Sequence, residues 1–589
     1  MRGSSVLVAL IGSGLISVGT APWYDHLLSQ LRVPPGFHIS VYAEVPAARS
    51  LAVAPSGTVF VGAYDFSGIQ GADGSKLAVY ALRDLDGDGR ATGTNESIPV
   101  TEQMTCPNGV SFLNGDLYVA QMNRVLKYPD VEHDIETIKE HIVVIDTEFP
   151  TDSGTGLPDT RWHGWRYLRA NPKTNKMYVT IGSPCNVPGN GEVPDCNDTA
   201  VHPLLGSICE FDPSAPRPKL TVIAHGIRNS LGLAFHPATD DLWFTENGRD
   251  QWGGTWSYAH GGWQLEGSAE TEDMPPGEIN RLPAAAIDVE EWRARDYSLD
   301  YGFPRCYGRD HPDPSPDWRG DPYNAGSCHF APLQDLSAMA TAREVGAVVD
   351  LPAHSATLGL EFYPSDAPAG SPAFPLEYRG SAFYASHGSW DRTMPSGYVV
   401  GRAALACAPA ECNSHSTPAE LTDFLSGFRL DPPVACTTTA DCPGNSSCQT
   451  RAPDHGQLTR YCGGIGRPAD VRVISDGSML ITDETNSLVY RISYRGGATP
   501  ASPPPPPAGM GAATVILLVL LLLLVLFVVM VAVWPRADRP KWMTRIVDAT
   551  CGLCNKYTGE INATIYTAGG EFPAGHVFED GRGASHVVS

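Results

Sequence analysis

A short predicted hairpin in the middle of the chain is flanked by polar residues that could bind an anion. The hairpin lies within residues 226–250, and the residues around it are Arg228 and Asn229 before the first strand and Asn247, Gly248 and Arg249 after the second. In an antiparallel hairpin these two groups lie at the same end. A polyanionic cofactor or substrate could bind where a guanidinium, amides and a flexible glycine loop lie together at one end of the hairpin. Ordinary solvated strand ends are the alternative interpretation.

The spacing of apolar residues predicts the two strands of this hairpin. Leu231, Leu233 and Phe235 alternate with smaller or polar residues, residues 237–241 supply a turn, and an apolar run resumes at 242–244. Alternation with a period of two is typical of a β-strand, and Pro with Asp marks the turn between strands. The polar groups are therefore expected at strand ends.

The same strand-turn-strand pattern recurs along the chain. Its six copies begin at Leu51, Val110, Leu168, Leu233, Leu358 and Val471. Repetition of one hairpin, with further strand candidates between the copies, indicates multi-stranded blades arranged around an axis. The sequence therefore predicts an all-β fold, a six-bladed β-propeller over residues 22–495. A double β-sandwich is the competing architecture.

Composition excludes several classes of partner. The chain of 589 residues carries a formal net charge of -24, whereas nucleic acids and anionic membrane surfaces require clustered Lys and Arg. Its 60 glycines and 50 prolines favour many turns and short strands over helical bundles. No nucleic-acid partner is expected.

The two ends of the chain predict passage into and across a membrane. Residues 1–21 have the charge, apolar run and small residues of a secretory signal peptide. Residues 512–534 are apolar for long enough to span a bilayer as one transmembrane helix. Basic residues follow directly, which places the tail, residues 535–589, in the cytoplasm. The prediction is a single-pass type I cell-membrane protein, with an extracellular or lumenal propeller held off the membrane by a Pro-rich linker at 496–511.

Cysteine usage agrees with that division, because twelve of the fourteen cysteines precede the predicted span. Disulfides are the expected state outside the cytoplasm. The plausible local pairs are Cys185 with Cys196, Cys306 with Cys328, and Cys407 with Cys412, and residues 436–462 form a Cys-rich insertion. Sequons available for glycosylation begin at Asn95, Asn197 and Asn445.

Several segments together resemble a known family, the PQQ-dependent glucose/sorbosone dehydrogenases. The segments are WHGWRYL around His163, GIRNSLGLAFHP from Gly226, LWFTENGRD from Leu242, YGFPRCYG from Tyr301, LGLEFYP with YRGSAFYASHGSWDRT, and GRPADVRVISDGSMLITD from Gly466. They occur in the family's order over most of residues 35–494. The resemblance implies a six-bladed propeller with a quinone cofactor in a cleft on its top face.

The resemblance also implies roles for residues of the cleft. His163 matches the base that takes a proton from the sugar's anomeric hydroxyl, and imidazole suits that task near neutral pH. Arg228 and Asn229 match the pair on the orthoquinone oxygens, where a guanidinium stabilises developing negative charge. Asn247 stands where the family has an amide on the same cofactor. A partly buried structural histidine is the alternative for His163 taken alone.

Further residues are implied as ligands of calcium and of the cofactor's carboxylates. Gly248 and Arg249 stand where backbone carbonyls ligate the catalytic Ca²⁺. Arg467 matches one of two carboxylate-binding arginines, and Arg392 is the candidate to replace a carboxylate-binding lysine, with a solvated loop arginine as the alternative. Trp162 and Ala469 depart from the family, which has an aspartate before the base and a second arginine.

A separate acidic loop could bind a cation. Asp84, Asp86 and Asp88 in DLDGDGR have the opening spacing of an oxygen-ligand calcium loop, without the glutamate at position twelve of an EF-hand. A second calcium site and an acidic turn both remain open.

These observations lead to two hypotheses about function. The first is a membrane-anchored extracellular quinoprotein, a PQQ- and Ca²⁺-dependent dehydrogenase that oxidises aldose or sorbosone-like sugars by hydride transfer. No CxxCH haem attachment sequence is present, so that enzyme needs an external electron acceptor. The alternative is a non-catalytic cell-surface propeller that binds a carbohydrate or protein partner, which Trp162 and Ala469 favour.

Overall fold

The computed structural model describes most of the N-terminal five hundred residues. The described ranges are 8–11, 14–17, 24–64, 76–137, 140–146, 156–158, 163–184, 204–250, 255–259, 262–266, 273–287, 298–304, 306–309, 311–312, 345–389, 395–429, 436–438, 441, 448–450, 460–462 and 466–496. The chain divides into two compact units, Met1–Thr499 and Pro500–Ser589. All described residues belong to the first unit.

The described residues form six antiparallel blades, numbered in the order of their innermost strands along the chain. From the innermost strand outwards, the first blade has Ala48–Val53, Val59–Ala63, Tyr80–Leu82 and Ser97–Pro99, the second Gly109–Leu113, Asp116–Ala120, Val125–Tyr128 and Ile142–Ile145, and the third Leu168–Asn171, Lys176–Ile181, Ser207–Phe211 and Thr221–His225. The fourth has Leu233–Phe235, Leu242–Glu246, Gly277–Leu282 and Val349–Leu351, the fifth Thr357–Phe362, Ala382–Ser386, Val399–Ala404 and Glu420–Leu425, and the sixth Pro468–Val473, Met479–Asp483, Leu488–Tyr494 and Phe37–Glu44.

Each innermost hairpin is one of the six copies of the repeated pattern. The innermost strands contact one another in order around the ring, and the sixth contacts the first. The six-bladed propeller is therefore confirmed, and the double sandwich is excluded.

Apolar side chains fill the space between consecutive blades. A separate hydrophobic cluster lies at each of the six blade boundaries, including the boundary between the sixth and the first. Because a blade packs on both neighbours, both faces of its sheet are covered; all residues of Val59–Ala63 and of Met479–Asp483 are buried. This two-sided burial explains why the second strands are nearly continuous apolar runs.

The N-terminal strand closes the ring. Phe37–Glu44 pairs antiparallel with Leu488–Tyr494, so the sixth blade is built from both ends of the propeller sequence. Val41 in this strand is fully buried in the cluster between the fifth and sixth blades. Its pairing partner lies some 450 residues away in sequence, and the repeat pattern did not predict it.

The remaining described elements are short. The further strands are Val8–Ile11 with Gly14–Ser17, Lys76–Leu77 with Met104–Thr105, Thr255–Ala259 with Gly262–Glu266, Cys306–Tyr307 with His311–Pro312, Cys448–Thr450 with Arg460–Cys462, and Leu299–Asp300 at the edge of the third blade. The helices are Asp25–Gln30, Ala284–Ile287 and the 3₁₀ turn Leu376–Tyr378. Among described residues no helix has the length and apolarity to span a membrane, and the predicted span at 512–534 lies outside them.

Part of the disulfide prediction is confirmed. Cys407 and Cys412 are bonded, and Cys306 and Cys436 are disulfide-bonded as well. Residues 185, 196 and 328 of the other predicted pairs lie outside the described residues. Two cysteines left out of the predicted pairs, Cys106 and Cys209, are buried.

Candidate functional site

Six blades of the same construction bring six pairs of strand ends to one end of the ring. In every blade the innermost strand begins, and the second strand ends, at this end, which we call the mouth. A small axial cavity lies near the mouth, and every blade contributes to its lining at or just before the start of its innermost strand. The lining residues are Arg49 and Ser50 from the first blade, then Asn108, Tyr167, Leu231, Leu358 and Ala469, one from each of the other blades. Side chains from distant parts of the sequence therefore converge at the mouth.

The loop before the third blade places His163 at the mouth in a strained backbone conformation. The residue has a φ of 47° and is 6% exposed. Nδ1 lies 3.0 Å from the carbonyl oxygen of Ser183 and 3.3 Å from its hydroxyl oxygen. Because a carbonyl only accepts hydrogen bonds, Nδ1 carries the proton and Nε2 keeps its lone pair. Trp162, the departure from the family pattern, lies outside the described residues.

Gly182, directly after the second strand of the third blade, makes room for this histidine. A Cβ atom at position 182 would lie 2.3 Å from Cβ and 2.7 Å from the carbonyl oxygen of His163. Only glycine allows the two segments to approach so closely. The third-blade hairpin thus fixes both the position and the tautomer of His163.

The surroundings of His163 keep its ring neutral. Burial lowers the pKa of His163 to about 3, and the nearby Arg228 guanidinium lowers it as well. The Ser183 carbonyl and the Asp250 carboxylate act in the opposite direction but are outweighed. The imidazole is therefore neutral at physiological pH and can accept a proton at Nε2.

Arg228 is held at the mouth by the loop that follows the second strand of the fourth blade. Its Nη2 atom lies 3.1 Å from Asp250 Oδ2, and its Nη1 atom donates to the carbonyl oxygen of Asn247. Burial alone would raise the pKa of Asp250, but Arg228, His354 and His163 together outweigh burial and hold that pKa below its usual value. His354 of the fifth blade lies on the other side of the same carboxylate, with Nδ1 3.5 Å from Asp250 Oδ1.

The buried side chain of Glu246 organises the turn that carries Arg228 and Asn229. Glu246 Oε1 accepts the backbone N–H of Arg228 at 2.6 Å and that of Asn229 at 3.2 Å. The side-chain amide of Asn247 donates to the carbonyl oxygen of Asn229 at 3.2 Å. The structure therefore brings together the pair before the hairpin and the amide after it, as the sequence predicted.

The predicted calcium ligands lie in the same loop. Gly248 follows Asn247 directly, and a Cβ atom there would lie 2.8 Å from both Pro275 Cγ and the Pro276 carbonyl oxygen. Arg249 is fully buried. Both residues therefore stand beside Arg228 and Asp250, where carbonyl oxygens and a carboxylate are the ligand types that Ca²⁺ prefers.

A second charged cluster lies across the mouth from Arg228. Arg467 donates from Nε to the carbonyl oxygen of His387 at 3.0 Å, and His387 Nε2 lies 3.2 Å from Glu484 Oε2. Arg49 of the first blade forms an ion pair with the same Glu484 oxygen. Burial, with Arg467, lowers the pKa of His387 to about 3. The other predicted carboxylate-binding residue, Arg392, lies outside the described residues.

Aromatic rings connect the two charged groups. Trp165 lies 6.4 Å from the His163 ring and 5.2 Å from the Tyr64 ring, and the Arg49 guanidinium lies 4.9 Å from the Tyr64 centroid. Trp165 Nε1 is buried without a hydrogen-bond partner among the described residues. The mouth thus offers flat apolar surfaces beside concentrated charge.

Sequence reasoning missed Arg49, Glu484, Asp250, His354 and Ser183. The sequence held a signal for most of them, namely their position next to a strand end of a recognised hairpin. Arg228 and Asn247 occupy the corresponding positions in the fourth blade. Applying the hairpin rule to every blade would have nominated Arg49, Ser183 and Glu484. The hairpin rule would not have nominated His354 and Asp250, because both lie a few residues away from the strands.

The acidic loop lies far out on the first blade. Asp84, Asp86 and Asp88 are exposed, and their carboxylate oxygens lie within 4.8 Å of one another. Asp84 already accepts the backbone N–H groups of Gly87 and Gly89. The cluster has the oxygen ligands that a calcium site needs, and the loop's own hydrogen bonds also suit an acidic turn.

The residues of the mouth are compatible with an aromatic, multiply charged anion. Arg49, Arg228 and Arg467 supply guanidinium groups on opposite sides, and the Trp165 indole supplies a buried N–H that has no partner among the described residues. Charge-assisted hydrogen bonds from arginine and stacking on aromatic rings are the means by which proteins hold such ligands. The donor set therefore fits the carboxylate-bearing quinone that the resemblance to PQQ-dependent dehydrogenases implies.

The fold defines a class, the six-bladed β-propellers. The family model described as TrAA12-like matches residues 37–429, more than half of the chain. The chain belongs to this family. An uncharacterized protein of Borreliella burgdorferi is 23% identical over 475 residues, covering 80% of this chain and 92% of that protein.

Solved structures share the fold at low identity. Two structures of the Trichoderma reesei carbohydrate-active enzyme of family AA12, one named an iodide and one a calcium structure, are each 19% identical with TM-scores of 0.51 and 0.50, over 79% of this chain and 97% of theirs. The holo form of the pyranose dehydrogenase PQQ domain from Coprinopsis cinerea is 16% identical, with a TM-score of 0.50 over 79% of this chain and 97% of that one. These likenesses establish the propeller.

Proposed function

We propose that this chain is a PQQ- and Ca²⁺-dependent dehydrogenase that oxidises aldose or sorbosone-like sugars. The observation that carries the proposal is the orientation of His163, whose Nδ1 donates to the Ser183 carbonyl oxygen beside the Arg228 guanidinium. A neutral, oriented base next to a fixed positive charge is the arrangement that removal of a proton together with a hydride requires.

His163 acts as the base in this proposal. Nε2 accepts the proton of the sugar's anomeric hydroxyl, while the Ser183 carbonyl holds Nδ1–H in place and partly stabilises the imidazolium that forms. The aspartate of related proteins is replaced in this role by a backbone oxygen. The fixed tautomer lowers the cost of reaching the reactive geometry.

Arg228 and Asn229 bind the electron-accepting end of the cofactor. When bound, the quinone accepts the hydride from the sugar carbon and carries both electrons to an acceptor. Asp250 and the Asn247 carbonyl hold Arg228, so its charge is already oriented when negative charge develops.

The remaining site residues hold the cofactor and its metal. Arg467, with Arg392, binds cofactor carboxylates, and the carbonyls of Gly248 and Arg249 ligate Ca²⁺. A second Ca²⁺ in the loop of Asp84, Asp86 and Asp88 belongs to the same proposal. The names of the Coprinopsis PQQ domain and the Trichoderma calcium structure support both cofactors.

The proposal extends to the location of the enzyme. A signal peptide at 1–21 exports the chain, a helix at 512–534 anchors it, and the propeller passes electrons to an external acceptor. The Cys407–Cys412 disulfide supports an oxidising compartment, and Asn95 is exposed, as a glycosylation acceptor must be.

Reconstitution tests the proposal. The purified chain is loaded with PQQ and Ca²⁺ and assayed for dye reduction with a panel of aldoses and aldosuloses. Turnover should depend on both additions and fall at least a hundredfold in His163→Ala, because general-base catalysis contributes about 10²–10⁴-fold. The matched control is His133→Ala, since His133 is exposed.

Two outcomes would count against the enzyme. Absence of PQQ binding, or turnover unchanged by His163→Ala, contradicts the proposed reaction. Binding of a carbohydrate or a protein without turnover supports instead the non-catalytic propeller.

A further inference from the structure

Position 469 lacks the cation that the proposed function needs for a second cofactor carboxylate, and the inference that follows rests on that function. Ala469 is 3% exposed and lines the axial cavity. A methyl group cannot bind a carboxylate, so Arg467 would be left without its neighbour. A charged group from another blade could occupy the same space.

Arg49 lies on the same cavity from the adjacent blade. It stands in the innermost strand of the first blade and lines the cavity together with Ala469. Hydrogen bonds join the innermost strand of the first blade to the two inner strands of the sixth: Thr482 Oγ1 donates to the Arg49 carbonyl oxygen at 2.6 Å, and Leu51 N–H donates to Asp470 Oδ2 at 2.8 Å. Arg49 is therefore held beside position 469 by its backbone.

The guanidinium of Arg49 is buried and oriented. It is paired with Glu484 and lies over the Tyr64 ring, and the residue is 6% exposed. Glu484 also contacts His387, whose carbonyl oxygen accepts from Arg467. One short network thus connects Arg49 and Arg467, although they come from different blades.

We infer that Arg49 binds a cofactor carboxylate in place of the arginine missing at position 469. The first blade thereby supplies a charge that the resemblance assigns to the sixth. Glu484 holds the guanidinium in position, and Tyr64 shields one of its faces. A purely structural ion pair between Arg49 and Glu484 is the competing explanation, and the two differ in what they predict for ligand affinity.

Binding titrations separate these explanations. PQQ and its trimethyl ester, which lacks the carboxylate charges, are titrated into the purified full chain with Ca²⁺, and binding is followed by tryptophan fluorescence. In Arg49→Gln, Kd for PQQ should rise about tenfold to a hundredfold, the usual loss for a charge-assisted hydrogen bond. Kd for the ester should change less than threefold. Arg217→Ala is the matched control, because Arg217 is an exposed arginine in an outer turn of the third blade.

A charge-relocation variant gives the second arm. Adding Ala469→Arg to Arg49→Gln should recover at least half of the lost affinity on a logarithmic scale, since it returns a guanidinium to the same cavity. A structural ion pair predicts no such recovery. If Arg49→Gln does not fold, as judged by circular dichroism, Arg49→Lys takes its place, with a smaller loss for PQQ and again little change for the ester.

The outcomes are distinguishable from failure of the proposed function. If the wild-type chain binds PQQ and turns over sugar while the Arg49 variant binds PQQ equally well, only this inference is overturned. Equal losses for PQQ and its ester overturn it as well. If the wild-type chain does not bind PQQ, both this inference and the proposed function are wrong.

Discussion

At the scale of single residues, a backbone oxygen orients the imidazole ring of His163. Ser183 accepts from His163 Nδ1 without adding a full negative charge beside the ring. The imidazolium is therefore less stabilised, in keeping with a lowered pKa. In the proposed reaction His163 is therefore a weaker base that stays neutral over a wide pH range.

This arrangement predicts an unusual pH profile. Because the pKa of His163 is lowered to about 3, the neutral form persists as pH falls from 8 to 5. We expect kcat/KM of the reconstituted enzyme to show no acid limb near 6.5, the ordinary histidine value. The measurement is kcat/KM against pH between 4.5 and 8 at constant ionic strength. An acid limb with an apparent pKa of 6 to 7 would contradict the buried, desolvated base.

A second prediction concerns the space left for His163. In Gly182→Ala the new methyl group would overlap His163 Cβ and its carbonyl oxygen, so the base must move. We expect a loss of about 1–3 kcal/mol in the free energy of unfolding and at least a tenfold drop in kcat. Activity and denaturant unfolding are measured on the same preparation.

The control for this variant is Gly277→Ala in the fourth blade. A Cβ atom at position 277 would meet only ordinary contacts of 3.5 Å and more. It should leave both stability and activity close to those of the wild type. Equal effects of the two substitutions would show that the contact with His163 is not decisive.

Residue types were predictable from sequence where a recognised segment carried them, as with Arg228 and Asn247. Their partners Asp250 and His354 were not, because they lie a few residues from the strands and only the fold sets the distances from Arg228 to Asp250 and from Asp250 to His354. Arg49 and Glu484 are separated by 435 positions in the chain. Pairing across such a separation leaves no local pattern in the sequence.

At the scale of elements, the hairpin is both the repeating unit of the fold and the carrier of the site. Its turn faces away from the mouth, and its two open ends deliver polar residues to the mouth. Apolar faces pack between blades, so the polar ends can vary without changing the core. This separation explains how Ala469 could replace an arginine without loss of the blade.

The N-terminal strand gives the prediction for this scale. Val41 is fully buried between the fifth and sixth blades, and Val41→Asp places a charge there. We expect either a loss of several kcal/mol in the free energy of unfolding or no folded protein. Glu44→Ala, at the exposed end of the same strand, is the control. If Val41→Asp unfolds at the same denaturant concentration as the wild-type protein, this strand does not close the ring.

Strand alternation made the six hairpins predictable, since each is a local pattern with its own turn. The closing strand was not predictable in the same way, because Phe37–Glu44 has no neighbouring partner in sequence. The long segments between the third and fourth strands of the fourth blade also concealed Val349–Leu351 as a blade strand.

At the scale of the whole molecule, the sequence predicts a propeller that a separate segment attaches to a membrane. The propeller closes on itself through Leu488–Tyr494, and the compact unit ends at Thr499. Every strand of the six described blades lies before that point. Anchor and propeller can therefore be tested independently.

Truncation tests the proposed anchor. The full chain should sediment with membranes and resist extraction by carbonate, because an apolar run of 23 residues at 512–534 is long enough to span a bilayer. A chain ending at Thr499 should be recovered in the soluble fraction with its propeller folded. Membrane association of the truncated chain would place the anchor elsewhere.

The most direct test of the account is anaerobic reduction of the bound cofactor by sugar, followed by absorbance without any dye. We predict that the wild-type chain loaded with PQQ and Ca²⁺ converts the oxidised spectrum to the reduced one in a single turnover when an aldose is added. His163→Ala should bind the cofactor with similar affinity and reduce it at least a hundredfold more slowly. An unchanged spectrum in the wild-type chain, or equal rates in the two proteins, would contradict the assignment of His163 as the base of a sugar dehydrogenase.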